Sequence, residues 1–209
     1  MIKAVIFDLD GVLVDARDWH YQSLNRALAL FGLEIPRDDH LVTYDGLPTR
    51  KKLEMLSIER GLPTDLHAFI NKMKQVYTME LIYTQCRPVF HCQYALNRLR
   101  KRGLRMAVCS NSIRETMDLM LTKSALMPFF EFTLSNQDVK LPKPDPEIYR
   151  EAIRRLSVPA ENVLILEDNQ NGVEAAKAAG AHLLHVRSIS DVNAINIARR
   201  LIELGGPEL

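Results

Sequence analysis

The stretch VIFDLDGVLVD, residues 5–15, runs three apolar residues into two aspartates, Asp8 and Asp10, one residue apart. Other apolar runs end in the same manner. LRMAVCS (104–110) leads into Ser110-Asn111-Ser112, and NVLILED (162–168) ends in Glu167-Asp168. KLPKPDP (140–146) places Lys143 in the loop after the short run EFTL. Each feature alone has a structural reading: an acid after a strand forms a turn or a cap, a serine caps the next helix, and a loop lysine is solvated. Together they point to chemistry. Crowded carboxylates repel one another and favour protonation unless a cation neutralises them. A hard divalent ion with oxygen ligands, Mg2+ above all, resolves that conflict. Such an ion beside an ammonium and hydroxyl donors suits a phosphate group.

The elements that must position these residues follow from periodicity. Residues 3–8, 104–110, 131–134, 162–168 and 182–186 read as strands, most of them continuous apolar runs of the kind buried on both faces. Helical spacing covers 16–31, 90–102, 112–124, 146–156 and 171–179, and DVNAINIARRLIELGGPEL reads as a last helix. Alternation of buried strands with helices predicts an α/β fold, a doubly wound and mainly parallel sheet with chemistry at the carboxyl ends of its strands. Residues 49–60, 64–82 and the stretch between them read as helical, with breaks near Gly46-Leu47-Pro48 and Gly61-Leu62-Pro63. The all-helical stretch thus interrupts the alternation. Residues 1–15 and 86–209 are expected to form the α/β core, and 16–85 an inserted helical domain.

Bulk composition narrows the partners. The chain has 209 residues, 47% hydrophobic and 25% charged, with a net charge of +1. That is enough to bury a sizeable core, and the charge gives no strong field for nucleic acid or an anionic membrane. Three cysteines, Cys86, Cys92 and Cys109, form a poor disulfide framework. Cys86, His91 and Cys92 lie close together, but no CxxC pair or second half-site accompanies them, so no structural metal is expected there. The N-terminal run is short and broken by Asp8 and Asp10, unlike a signal peptide. No apolar stretch reaches the about 18 residues of a membrane helix. A cytoplasmic monomer is expected.

DLDGVLVD, the serine after a buried strand, the lysine of KPDP, and LEDNQNG together resemble the four motifs of the haloacid dehalogenase superfamily. Order and spacing are similar to its phosphatase and mutase branch, over essentially the whole chain. The resemblance implies that Asp8 is the nucleophile that becomes an aspartyl phosphate. It implies that Asp10 is the general acid, then the base that activates water. Ser110 would hold a phosphoryl oxygen, helped by a backbone amide such as that of Asn111. Lys143 would offset charge on Asp8 and the phosphoryl group. Asp168 would bind Mg2+ with Asp8 and the backbone carbonyl of Asp10, and Glu167 would support the ion directly or through water. A dehalogenase lacks the second acid, because halide leaves without a proton, so Asp10 argues for phosphoryl chemistry. Gly11 is expected to let the backbone turn beside the metal.

The insertion resembles the helical cap of this superfamily, which implies closure over the site about hinges near Val14–Arg17 and Thr84–Pro88. His20 and Arg50, the latter following the loop YDGLPTR, are the candidates to read substrate. Against them stand a histidine satisfied on its own helix face and a solvated charge in the basic run TRKK. Lys51 and Lys52 are expected to face solvent, and Lys72 and Lys74 are weaker candidates. The expected function is phosphatase action on a small phosphorylated metabolite: a sugar, polyol or glycolate phosphate. A mutase resembling β-phosphoglucomutase is the alternative, and a phosphate-binding protein without turnover stands behind both.

Overall fold

Ala4–Phe7 form β1, and all four side chains are buried. The branched and aromatic residues of AVIF fit a strand covered on both faces, as a parallel sheet requires. The computed structural model describes residues 1–44, 47–207 and 209. Four further strands join β1: β2 (Arg105–Cys109), β3 (Phe132–Leu134), β4 (Val163–Glu167) and β5 (His182–His185). Their order is β3-β2-β1-β4-β5, and every pairing is parallel. From β1 the chain builds to one side, then returns to build on the other. The order therefore reverses between β1 and β4, where sheets of this class open a ligand crevice at their carboxyl ends.

By close contacts the chain divides into two units, Met1–Asp15 with Cys86–Leu209, and Ala16–Gln85. The Ala16–Gln85 unit holds α1 (Arg17–Ala29), the short α2 (Arg37–Asp39) running into a π-helical turn at His40–Tyr44, α3 (Thr49–Arg60) and α4 (His67–Gln85). Leu24 and Leu28 of α1, Leu53 and Leu56 of α3 and Ile70 of α4 meet in its core, at the three- and four-residue spacing of helix faces. Gly61 ends α3 at φ +69, so residues 61–63 are not helical, and a 3-10 turn at Thr64–Leu66 precedes α4. Gly46 of the expected break lies outside the described residues. Lys52, expected in solvent, is 8% exposed. It stands on α3 beside Leu53 and one turn before Leu56, so its aliphatic stem is carried onto the inward face.

In the other unit α5 (Phe90–Lys101), α6 (Arg114–Lys123), α7 (Glu147–Leu156), α8 (Gln170–Ala178) and α9 (Ala194–Glu203) accompany the sheet. Ala4 and Ile6 of β1, Ala107 and Cys109 of β2, and Val163 and Ile165 of β4 share a core with α7 and α8. The alternate residues Val5, Phe7, Met106, Val108, Leu164 and Leu166 are equally buried, so the sheet is covered on both faces. No helix among the described residues is long and apolar enough to cross a membrane.

Candidate active site

Register sets the site. Phe7 pairs with Val108 on β2 and with Leu166 on β4. One rank further on, Cys109, Asp8 and Glu167 therefore stand side by side at the carboxyl ends of three neighbouring strands. The Asp8 backbone N–H donates to Leu166 O at 3.0 Å, which carries the ladder one residue past β1. Beyond Asp8 the chain turns tightly: Gly11 takes φ +87, and its N–H donates to Val14 O at 2.7 Å. A side chain at Gly11 would strain that turn, which presents Asp10 beside Asp8.

Lys143 spans the rank. Its Nζ donates to Asp8 Oδ1 at 2.7 Å, to Cys109 O at 2.9 Å and to Glu167 Oε1 at 2.5 Å. An ammonium has three N–H groups, so all its donors are engaged, and the side chain is 4% exposed. The loop that carries it, with a cis Lys143-Pro144 bond, is clamped by Asn111. Asn111 Nδ2 donates to Lys143 O at 3.2 Å, and Asn111 Oδ1 accepts the Lys143 N–H at 3.0 Å. The Asn111 side chain is thus committed to the loop, which leaves its backbone for any part in substrate binding.

Asp10 has different partners. Its Oδ2 accepts Ser112 Oγ at 2.9 Å and Ser110 Oγ at 3.1 Å. Ser110 Oγ in turn accepts the Ser112 N–H at 2.9 Å. Glu167, 1% exposed, receives the Tyr149 hydroxyl on Oε1 and the Asp168 N–H on Oε2 at 3.2 Å. The Asp168 carbonyl accepts His185 Nε2 at 3.2 Å. Gly172, on α8, makes room for this carboxylate: a Cβ there would lie 1.9 Å from Glu167 Oε1.

The electrostatics are those of too many acids for one ammonium. Burial, then the charges of Glu167, Asp168 and Asp10, push the Asp8 carboxyl well above its ordinary range, with Lys143 opposing. Burial alone would lower Lys143, but Asp8 and Glu167 outweigh it and hold the ammonium charged. Burial, with Glu167 and Asp8, pushes Tyr149 up, so its hydroxyl stays a donor. Carboxylate oxygens of Asp8, Glu167 and Asp168 lie within 4.8 Å of one another. This all-oxygen donor set fits a hard cation. Among the described residues it is the one acidic, histidine or cysteine cluster of that size. Cys86 instead bonds Met120 O, and Cys92 and His91 bond Val192 O and Ile189 O of a single turn. All three cysteines are buried and free.

Asp8, Asp10, Ser110, Lys143, Glu167 and Asp168 thus converge in one constellation. His20 and Arg50 belong to the Ala16–Gln85 unit. There His20 Nδ1 lies 3.3 Å from Lys74 Nζ, with Lys74 8% exposed. Arg50 pairs with Glu54 at 3.4 Å, its side chain 88% exposed. Ser112, Tyr149 and Gly172 were not singled out from sequence. Ser112 had a signal, a second hydroxyl two residues after the first at a strand end. Tyr149 has the spacing of an ordinary core residue of α7.

A family model described as haloacid dehalogenase-like hydrolase matches residues 5–186. A phosphorylated carbohydrates phosphatase of Thermotoga maritima is 28% identical over 211 residues, covering 100% of this chain and 94% of its own. A phosphoglycolate phosphatase of Nitrosospira multiformis is 28% identical over 194 residues, covering 88% of this chain and 83% of its own. The crystal structure of β-phosphoglucomutase from Clostridium difficile is similar in fold, with a TM-score of 0.81 at 21% identity, over 97% of this chain and 98% of that one. The aspartate pair at the end of β1, the serine after β2, the loop lysine and the acids after β4 all fall inside the matched span, and the chain belongs to the haloacid dehalogenase-like hydrolase family.

Proposed function

We propose that this protein is a Mg2+-dependent phosphatase that hydrolyses a small phosphorylated metabolite, a sugar, polyol or glycolate phosphate, through an aspartyl phosphate on Asp8. The observation that carries the reading is the contrast between two carboxylates one residue apart. Asp8 is held by an ammonium at 2.7 Å, and Asp10 by two hydroxyls at 2.9 and 3.1 Å. Paired acids in unlike surroundings divide the roles of nucleophile and proton carrier.

An Asp8 oxygen forms the bond to phosphorus while the bond from phosphorus to the ester oxygen breaks. Asp10 gives its proton to the departing oxygen, then takes one from the water that attacks the aspartyl phosphate. Inorganic phosphate leaves and Asp8 is restored. Ser110 and the backbone N–H of Asn111 hold a phosphoryl oxygen. Lys143, with its donors already engaged, acts by its charge on Asp8. Asp8, Asp168, Glu167 and the backbone carbonyl of Asp10 would hold Mg2+, whose charge offsets that of the phosphoryl oxygens. The names of the Thermotoga and Nitrosospira relatives support a small phosphate ester as substrate. His20 and Arg50 are the residues proposed to select it, and Arg50→Ala should raise KM on the best ester.

A panel of small phosphate esters, hexose 1-phosphates included, tests the reading with and without Mg2+, following both free phosphate and isomerised sugar phosphate. Mg2+-dependent phosphate release, lost in Asp8→Asn, is the expected result. Conversion of a sugar 1-phosphate to its 6-phosphate with little free phosphate would make the protein a mutase, in which the aspartyl phosphate passes to a sugar hydroxyl rather than to water. No turnover of any ester would leave a phosphate-binding protein.

A further inference from the structure

We propose that Tyr149 is a positioning residue of this reaction: its hydroxyl anchors Glu167 so that Lys143 keeps its ammonium on Asp8. The inference rests on the reading of Asp8 as nucleophile. Tyr149 stands in the first turn of α7, fully buried, and a phenol has one proton to give. That proton goes to Glu167 Oε1, the same oxygen that accepts Lys143 Nζ at 2.5 Å. The Tyr149 ring also lies beneath the ammonium, with Nζ 4.7 Å from the centroid. One side chain therefore touches both members of the Lys143–Glu167 pair.

Position follows from a count of donors. Lys143 divides its three N–H groups among Asp8, Cys109 O and Glu167. Two buried carboxylates thus compete for one cation, and the geometry at Asp8 depends on how strongly Glu167 draws on it. The tyrosine hydroxyl gives Glu167 a second donor on the contested oxygen, and the Asp168 N–H holds its other oxygen. Without the hydroxyl, Glu167 must satisfy a buried oxygen from Lys143 alone. The ammonium is then drawn toward β4 and away from Asp8. Phenylalanine would fill the same space on α7 and keep the ring beneath Nζ, so packing alone does not require the hydroxyl.

Tyr149→Phe separates the two roles. Its thermal midpoint confirms folding, and kcat and KM are measured for phosphate release from the best ester. In the metal-free protein the lysine ammonium groups are followed by 1H–15N NMR, with Lys143→Met to assign the Lys143 signal. The expected result is a fall in kcat of about tenfold, the size of a lost hydrogen bond to a charged group, with KM nearly unchanged and the Lys143 signal shifted or broadened. An unchanged kcat and an unmoved Lys143 signal in the folded variant would overturn the proposal and leave Tyr149 a packing residue. A wild-type protein that releases no phosphate from any ester would overturn the phosphatase reading, and the proposal with it. An active wild type with an unmoved signal in the variant would overturn the proposal alone.

Discussion

Asp8 and Glu167 occupy the same rank on neighbouring strands and share one ammonium, that of Lys143, at 2.7 and 2.5 Å. A buried ion pair is poor evidence of net stability, but removing one partner leaves an uncompensated charge behind. Lys143→Met leaves two. We expect it to abolish turnover and to cost about 3–5 kcal/mol of folding stability, measured by urea unfolding without Mg2+. A variant as stable as the wild type would show that the two carboxylates do not depend on the lysine for their burial.

Gly172 bears on the same carboxylate from the other side. Its φ is not what excludes a side chain; the space is. A Cβ would meet Glu167 Oε1 at 1.9 Å and Oε2 at 2.3 Å, and Glu167 is held by Lys143, Tyr149 and the Asp168 N–H. Gly172→Ala should therefore displace Glu167, lower kcat, and cost about 1–3 kcal/mol in the manner of an overpacked core. Full activity in Gly172→Ala would mean that Glu167 can move without consequence.

The legible part of this molecule was whatever a strand end announces. DLD, CSNS and LED each close an apolar run, so their place at one edge of a parallel sheet follows from local pattern. Lys143 could be placed only by motif, because the loop that carries it is held by Asn111 from another segment. Tyr149 was invisible for a different reason. An aromatic at a buried position of α7 reads as packing, and only the register of β4 brings Glu167 beneath its hydroxyl. Lys52 misled because a charge within TRKK reads as surface, whereas the neighbouring Leu53 and Leu56 draw that face of α3 inward.

The helix that carries Tyr149 has its own pH dependence. Glu151 of α7 is bonded by Arg154 at 2.8 Å and by Arg155 at 2.7 Å. Those bonds, Arg154 first, hold its carboxyl down at about 2, from an ordinary 4.5. The folded state therefore binds this proton less readily than the unfolded chain. The stabilisation is complete above 4.5 and is lost as pH falls toward about 2. Glu151→Gln should lower stability at pH 7 by less than about 1 kcal/mol, as for other surface pairs. The gap to wild type should narrow in denaturant titrations carried below pH 4.5. A gap of constant size across that range would assign the effect to something other than charge.

Asp8 itself should prove a residue at which function and stability conflict. Without a bound cation, Asp8, Glu167 and Asp168 bring carboxylate oxygens within 4.8 Å of one another, and Lys143 supplies a single positive charge among them. Asn at position 8 keeps an oxygen to accept the Lys143 N–H but removes one negative charge from the cluster. Asp8→Asn should therefore raise the thermal midpoint of the metal-free protein while abolishing turnover, a trade common where a site is built for chemistry rather than for stability. Added Mg2+ tests the same cause from the other direction. It should stabilise the wild type by binding the folded state alone, and should stabilise Asp8→Asn less, because a ligand charge is gone. A lower midpoint in metal-free Asp8→Asn would mean that the Asp8–Lys143 attraction outweighs the repulsion among the acids.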